Sequence, residues 1–166
     1  RQEIRLDEQK REYFWSGFRK FALRKKVSEV ENVCSFYLVP HDGKPLPPFE
    51  PGQYLTFRLQ IPGEKQPTMR CYSLSDSARC TDYYRVTIKK ILPPPGTANA
   101  RPGLASSYFH DQLREGDIVD VKAPSGQFCL DTNQPHPVVL LAGGIGITPL
   151  LSMLNTVIDS GSKREV

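Results

Sequence analysis

The sequence predicts a mainly β protein: an antiparallel barrel of about six strands, then one βα unit of different character. Three observations predict it. Short runs rich in β-branched and aromatic residues recur from Phe18 to about Pro124, punctuated by Pro, Gly and Asp. One helical stretch interrupts them after a Pro- and Gly-rich loop. Near residue 135 the pattern changes to a continuous apolar run, a glycine loop and a second helical stretch.

Taken in order, residues 3–16 carry Ile4, Leu6, Tyr13, Phe14 and Trp15 among many charges, the pattern of a short amphipathic lead-in helix over residues 1–17. Strand-like runs follow at Cys34–Val39, Gln53–Leu59, Tyr83–Ile91 and Asp117–Lys122. The loop Leu92–Gly103 leads into a helix over about Leu104–Leu113. Pro137–Ala142 reads as a strand buried on both faces, as in a parallel sheet, and Ile147 to about Asp159 as the helix after it. The expected division is therefore a lead-in over 1–17, a barrel over 18–134, and the start of an α/β nucleotide-binding domain, cut short, over 135–166. The start, Arg1-Gln2-Glu3-Ile4, is neither an initiator methionine nor a secretory leader, and is read as the edge of a longer protein.

Composition narrows the function. At 39% hydrophobic and 24% charged residues the chain is of globular type, and no apolar run reaches the roughly 18 residues a membrane span needs. The net charge of +4 comes largely from Arg19, Lys20, Arg24, Lys25 and Lys26, a modest excess without the interleaved aromatics of nucleic-acid modules. Neither nucleic acid nor membrane is an expected partner. Cys34, Cys71, Cys80 and Cys129 form no Cys-x-x-Cys and no zinc spacing with histidine. Reduced thiols in a cytoplasmic protein, with no metal, are the expectation.

The chemistry concentrates in Arg70-Cys71-Tyr72-Ser73. Alternation along a strand puts Arg70 and Tyr72 on one face. A guanidinium forks onto phosphate, a phenol ring stacks on a flat ring, and a hydroxyl reaches a ring heteroatom. One ligand offers all three, a flavin nucleotide. Alone, the tetrapeptide reads better as an ordinary strand with a surface arginine, a half-buried tyrosine and a turn serine. Its neighbours shift the balance. Gly52-Gln53-Tyr54 opens the preceding strand, Thr87-Ile88-Lys89 ends a following one, and Gly103-Leu104-Ala105-Ser106 starts a helix whose N–H groups face an anion. Gly143-Gly144-Ile145-Gly146-Ile147-Thr148-Pro149 repeats that strand–loop–helix geometry without the Gly-x-Gly-x-x-Gly dinucleotide spacing.

Over about residues 18–160 these segments, with Ala123-Pro124-Ser125-Gly126-Gln127-Phe128, stand in the order of the ferredoxin–NADP reductase superfamily, which the chain resembles, most closely the reductase half of flavohaemoglobin-type proteins. The resemblance implies a six-stranded Greek-key barrel that binds FAD, then a domain for NAD(P)H. It implies that Arg70 pairs with the FAD phosphates and that Tyr54 and Tyr72 line the isoalloxazine beside Cys71. Ser73 would sit by N5, and Thr87, Ile88 and Lys89 would hold the pyrimidine edge. Gly103, Leu104, Ala105 and Ser106 would cradle the pyrophosphate. Gly143, Gly144, Gly146 and Thr148 would take the nicotinamide nucleotide, with Ser73 and Thr148 nearest the hydride path. The implied activity passes hydride from NAD(P)H to FAD and single electrons to an iron–sulfur or haem acceptor. With the second domain incomplete, this stretch is expected to keep FAD and to handle NAD(P)H poorly. The alternative is a barrel that holds no cofactor and binds a protein partner through the same face.

Overall fold

The computed structural model describes residues 14–97 and 100–166. The lead-in helix expected over 1–17 lies outside the described residues as far as position 13, and Phe14 to Gly17 are irregular. Six antiparallel strands follow: β1 (Arg19–Val30), β2 (Val33–Pro40), β3 (Tyr54–Leu59), β4 (Thr68–Ser73), β5 (Tyr84–Lys89) and β6 (Ile118–Val121). They form one sheet in the order β4-β3-β6-β1-β2-β5. The two outer strands meet where Leu74, just past β4, bridges Val86 of β5, and the Ser75 N–H donates to Arg85 O at 2.8 Å. That contact brings the sheet round on itself, as a barrel requires.

Alternation writes the core. In β3 Leu55, Phe57 and Leu59 are buried while their neighbours are not, and in β5 Tyr84, Val86 and Ile88 do the same. They pack with Phe21, Leu23, Phe36 and Leu38 from the β1–β2 hairpin. The hairpin turns at Glu31-Asn32, where Asn32 takes the left-handed φ of 60° that asparagine tolerates better than most residues. Gly52, before β3, has φ +112°, and a Cβ there would stand 2.0 Å from the Phe128 carbonyl oxygen, so only glycine lets these two segments pass.

Helix α1 (Leu104–Ser107) runs on into a single π turn (Tyr108–Gln112), close to the helix expected from the sequence. It plugs the barrel with Phe109, fully buried and edge-on to Phe36, Phe57 and Tyr72 at 5.1 to 5.3 Å between centroids. Helix α2 (Ile147–Asp159) matches its expected span. Its buried stripe of Thr148, Leu150, Ser152, Met153, Thr156 and Val157 recurs at helical spacing.

The run 137–142 differs from its expectation. It is not a strand in the structure, and Val139 and Leu141 are 81% and 86% exposed. A strand buried on both faces needs ladder partners, and no strand pairs with this run among the described residues. Instead Val138 N–H donates to Glu165 O, and Arg164 reaches back to the carbonyls of Asp131 and His136.

Candidate flavin site

A cleft of about 930 Å³ opens where β4 ends, β5 ends, and the tips of α1 and α2 approach. Its size lies at the upper end of the roughly 300–1,000 Å³ usual for small-molecule sites. Cys71, Tyr72 and Ser73 form one wall, and Thr87, Ile88, Lys89 and Lys90 form the floor. Ser106 borders it from α1, and Ile145, Gly146, Thr148 and Pro149 from the start of α2. Asn32 and the run Ile91–Pro95 complete the rim.

The Arg-x-Tyr-Ser stretch sits as the strand period requires. Arg70 is opposite Phe57 and Tyr72 opposite Leu55, and both partners are fully buried. Cross-strand partners share a face, so Arg70 and Tyr72 project to the same side. Burial pushes the Tyr72 phenol above its ordinary value, against the opposing pull of the Arg70 charge. Arg70 is exposed and stands outside the cleft lining, with Nη1 donating to Met69 O at 2.7 Å. None of the four ion pairs among the described residues involves it, so most of its five donors face no carboxylate. Cys71 Sγ lies 3.4 Å from Thr56 Oγ1.

Several expected contacts are otherwise engaged. Tyr54 is outside the cleft lining: its ring lies where a Cβ on Gly126 would come within 3.1 Å, and its backbone pairs with Ser125. Thr87 Oγ1 stands in a hydroxyl chain, 2.8 Å from both Ser35 and Ser75. Ser106 Oγ accepts from Ile91 N–H at 3.1 Å and donates to Gly103 O at 3.0 Å, which fastens α1 to the end of β5. Thr148 Oγ1 donates to Ile145 O at 3.1 Å and so fixes the glycine loop. Gly103, Leu104, Ala105, Gly143 and Gly144 are not part of the lining. A Cβ on Gly103 would lie 2.7 Å from Ser106 Oγ and 2.8 Å from Ile91 Cβ, whereas Cβ atoms on Gly143, Gly144 and Gly146 would meet nothing within 4 Å. Close packing thus requires glycine at Gly103, and the left-handed φ of +58° favours it at Gly144.

The sequence reading missed the rim. Ile91 and Leu92, 63% and 50% exposed, and Pro93–Pro95 form an apolar wall that reads from sequence only as a strand end and the loop after it. The available signal was the apolar content of that loop, unusual for a solvated connection. The reading also missed how α2 is held. Asp76, in the β4–β5 connection, pairs with Arg85 at 3.3 Å and accepts from Tyr83 Oη at 3.0 Å and Asn155 Nδ2 at 3.1 Å. Beside it Ala78 N–H donates to Thr156 Oγ1 at 2.9 Å.

The donor set fits a flavin dinucleotide. The wall pairs a half-buried phenol ring with apolar Ile88 and Ile91, which suits a flat ring system. The first-turn N–H groups of α1 lie outside the intrahelical ladder and no side chain caps them, which suits an anion.

Comparison with known proteins identifies the family. Residues 20–129 match the family model described as the oxidoreductase FAD-binding domain, and the chain belongs to that family. A flavohemoprotein of Halalkalibacterium halodurans is 45% identical over 152 residues, 92% of this chain and 36% of that protein. Among solved structures, the flavohem-like FAD/NAD-binding domain of nitric oxide dioxygenase from Vibrio cholerae O1 biovar El Tor superposes with a TM-score of 0.76 at 33% identity, covering 87% of this chain and 59% of that one. Phthalate dioxygenase reductase, described as transferring electrons from pyridine nucleotides to [2Fe-2S], superposes with a TM-score of 0.73 at 35% identity, covering 90% of this chain and 42% of that one. The chain spans little more than a third of the length of the curated relative it matches. No helix among the described residues is long and apolar enough to cross a membrane.

Proposed function

We propose that the cleft between β4, β5 and the tips of α1 and α2 holds FAD, and that within a longer protein this domain links NAD(P)H to a one-electron acceptor, a haem or an iron–sulfur centre. The observation that supports the reading is the convergence of Cys71–Ser73, Thr87–Lys90, Ser106 and Thr148 on one cleft beside unpartnered helix-tip amides. When bound, FAD supplies the ability to accept a hydride and to release electrons one at a time.

The chain's own residues bind and orient. Tyr72 offers its ring, braced from behind by Phe57 and Phe109 at 5.8 and 5.3 Å. Arg70, on the same face and with no carboxylate partner among the described residues, would swing onto a phosphate as a bidentate donor. Ser73, the last residue of β4 and part of the cleft lining, would present its hydroxyl to the flavin edge that accepts hydride. The Thr87–Lys89 backbone meets the polar end of the ring, and the first turn of α1 meets the pyrophosphate. Thr148 holds the glycine loop over the cleft, where the loop and its closely spaced glycines leave room for the nicotinamide nucleotide. The four free thiols fit a reducing compartment such as the cytoplasm. Residues 18–134 are the flavin-binding unit, and 135–166 begin the unit that takes NAD(P)H.

The test is an equilibrium titration followed by flavin fluorescence. The chain is expected to saturate with FAD and to bind FMN less tightly. Arg70→Ala is expected to weaken FAD binding about tenfold or more, the loss of a charge-assisted bidentate contact, with an unchanged apo melting temperature because Arg70 is exposed. Failure to take up either flavin would leave the barrel as an interaction module instead.

A further inference from the structure

Helix α1 borders the cleft through Ser106, and the π turn that continues it is held at its far end by a lysine from β1. The β1–β2 register breaks between Leu23 and Lys25, so Arg24 is an extra residue in β1. Before the break Leu23 faces Leu38, and after it Lys26 faces Phe36. Leu23, Leu38 and Phe36 are all core residues. Uninterrupted alternation from Leu23 would send Lys25 inward and Lys26 to solvent. The bulge reverses that choice, a recognised way to re-aim one side chain.

The aim has a target. Lys26 Nζ donates to Phe109 O at 3.0 Å, His110 O at 2.5 Å and Leu113 O at 3.2 Å, over the Phe36 ring. These carbonyls end the π turn, where the helix ladder leaves acceptors unmatched. An ammonium brings three donors and a charge of the sign that a helix C-terminus favours. A second tie runs from His110, whose Nε2 lies 2.8 Å from the carbonyl of the cleft residue Ile88.

We propose that Lys26 is a positioning residue for the pyrophosphate end of the site: by fixing the far end of the π turn that continues α1, it sets how far Ser106 and the first turn of α1 reach toward the cleft. The inference rests on the FAD reading. From Leu104 to Gln112 the helix is about 13 Å long, short enough that a shift at one end moves the other. Phe109, locked in the core, keeps the Tyr72 side in place, so loss of Lys26 acts on the phosphate end and spares the ring end.

The test compares FAD with riboflavin, which shares the ring and lacks phosphate, in the wild-type chain, Lys26→Met and Lys26→Arg. Apo melting temperatures are recorded alongside. The wild type is expected to prefer FAD, and Lys26→Met to narrow that preference about tenfold while riboflavin affinity changes by less than about twofold. Lys26→Arg, with a planar fork that cannot converge on three carbonyls, is expected to lie between them. General damage to the fold would weaken both ligands alike, and that result overturns the proposal, as does an unchanged FAD-to-riboflavin ratio. If Lys26→Met does not fold, Lys26→Arg decides alone: a narrowed ratio supports the role and an unchanged one overturns it. A wild-type chain that binds the two ligands equally sinks the FAD reading itself, a result distinct from failure of the lysine.

Discussion

Gly52 and Tyr84 show how single residues carry this fold. With φ +112° and a Cβ that would meet the Phe128 carbonyl oxygen at 2.0 Å, Gly52 admits no side chain. Gly52→Ala is expected to destabilise the protein by roughly 3 kcal/mol or more, combining backbone strain with a clash against main chain, as read by chemical denaturation. Tyr84 is buried and donates to Pro47 O at 2.7 Å. Burial raises its phenol above the ordinary 10.0. Below pH 10.0 the proton is held in both folded and unfolded chains, so the contribution is fully present. Above it the unfolded chain loses its proton first, and stability falls as pH climbs toward the raised folded value. Tyr84→Phe is therefore expected to cost about 1 kcal/mol at neutral pH, the net worth of one hydrogen bond, and to flatten the alkaline fall. Denaturation midpoints at neutral pH and above pH 10 check both. At this scale the sequence showed which side chains share a face, since Arg70 and Tyr72 follow from strand period alone. It could not show that Ser106 and Thr87 direct their hydroxyls to neighbours, because Ile91, Ser35 and Ser75 reach them only through the fold.

Elements were legible where a local period decides them. The strands β2, β3 and β5 fall within a residue or two of their expected spans, as do α2 and α1 taken with its π turn, because each has an alternating or helical stripe of its own. The run 137–142 was read as a buried strand because composition reports apolarity and not pairing, and a strand exists only with a ladder partner. The bulge at Arg24 was invisible for the same reason, since register belongs to two strands at once. The docking of α2 is likewise relational. Asp76 joins Arg85, Tyr83 and Asn155, so the β4–β5 connection grips the helix whose tip borders the cleft. Asp76→Ala leaves the half-buried Arg85 guanidinium unpaired, and is expected to cost about 1–3 kcal/mol. It is also expected to speed amide exchange across residues 147–159 more than across β1 and β2. Equal change in both regions would mean that Asp76 supports the barrel generally.

For the whole molecule, strands at even spacing pointed to an antiparallel barrel, and the structure has one six-stranded antiparallel sheet in the order β4-β3-β6-β1-β2-β5 whose outer strands approach at the Leu74–Val86 bridge. That approach places the ends of β4 and β5 side by side, so segments far apart in sequence become two walls of one cleft. The apolar rim of Ile91–Pro95 belongs to this scale, since a loop becomes a wall only when the barrel stands behind it. The most direct measurement is amide hydrogen exchange of the chain with and without FAD. Slower exchange is predicted at Cys71–Ser73, at Thr87–Ile91 and above all at Leu104–Ser106, whose amides are outside the helix ladder until a phosphate meets them. Slowing confined to the surface around Trp15 and Arg19, or to the hollow beside Cys129, or no slowing under saturating FAD, would contradict this placement of the flavin.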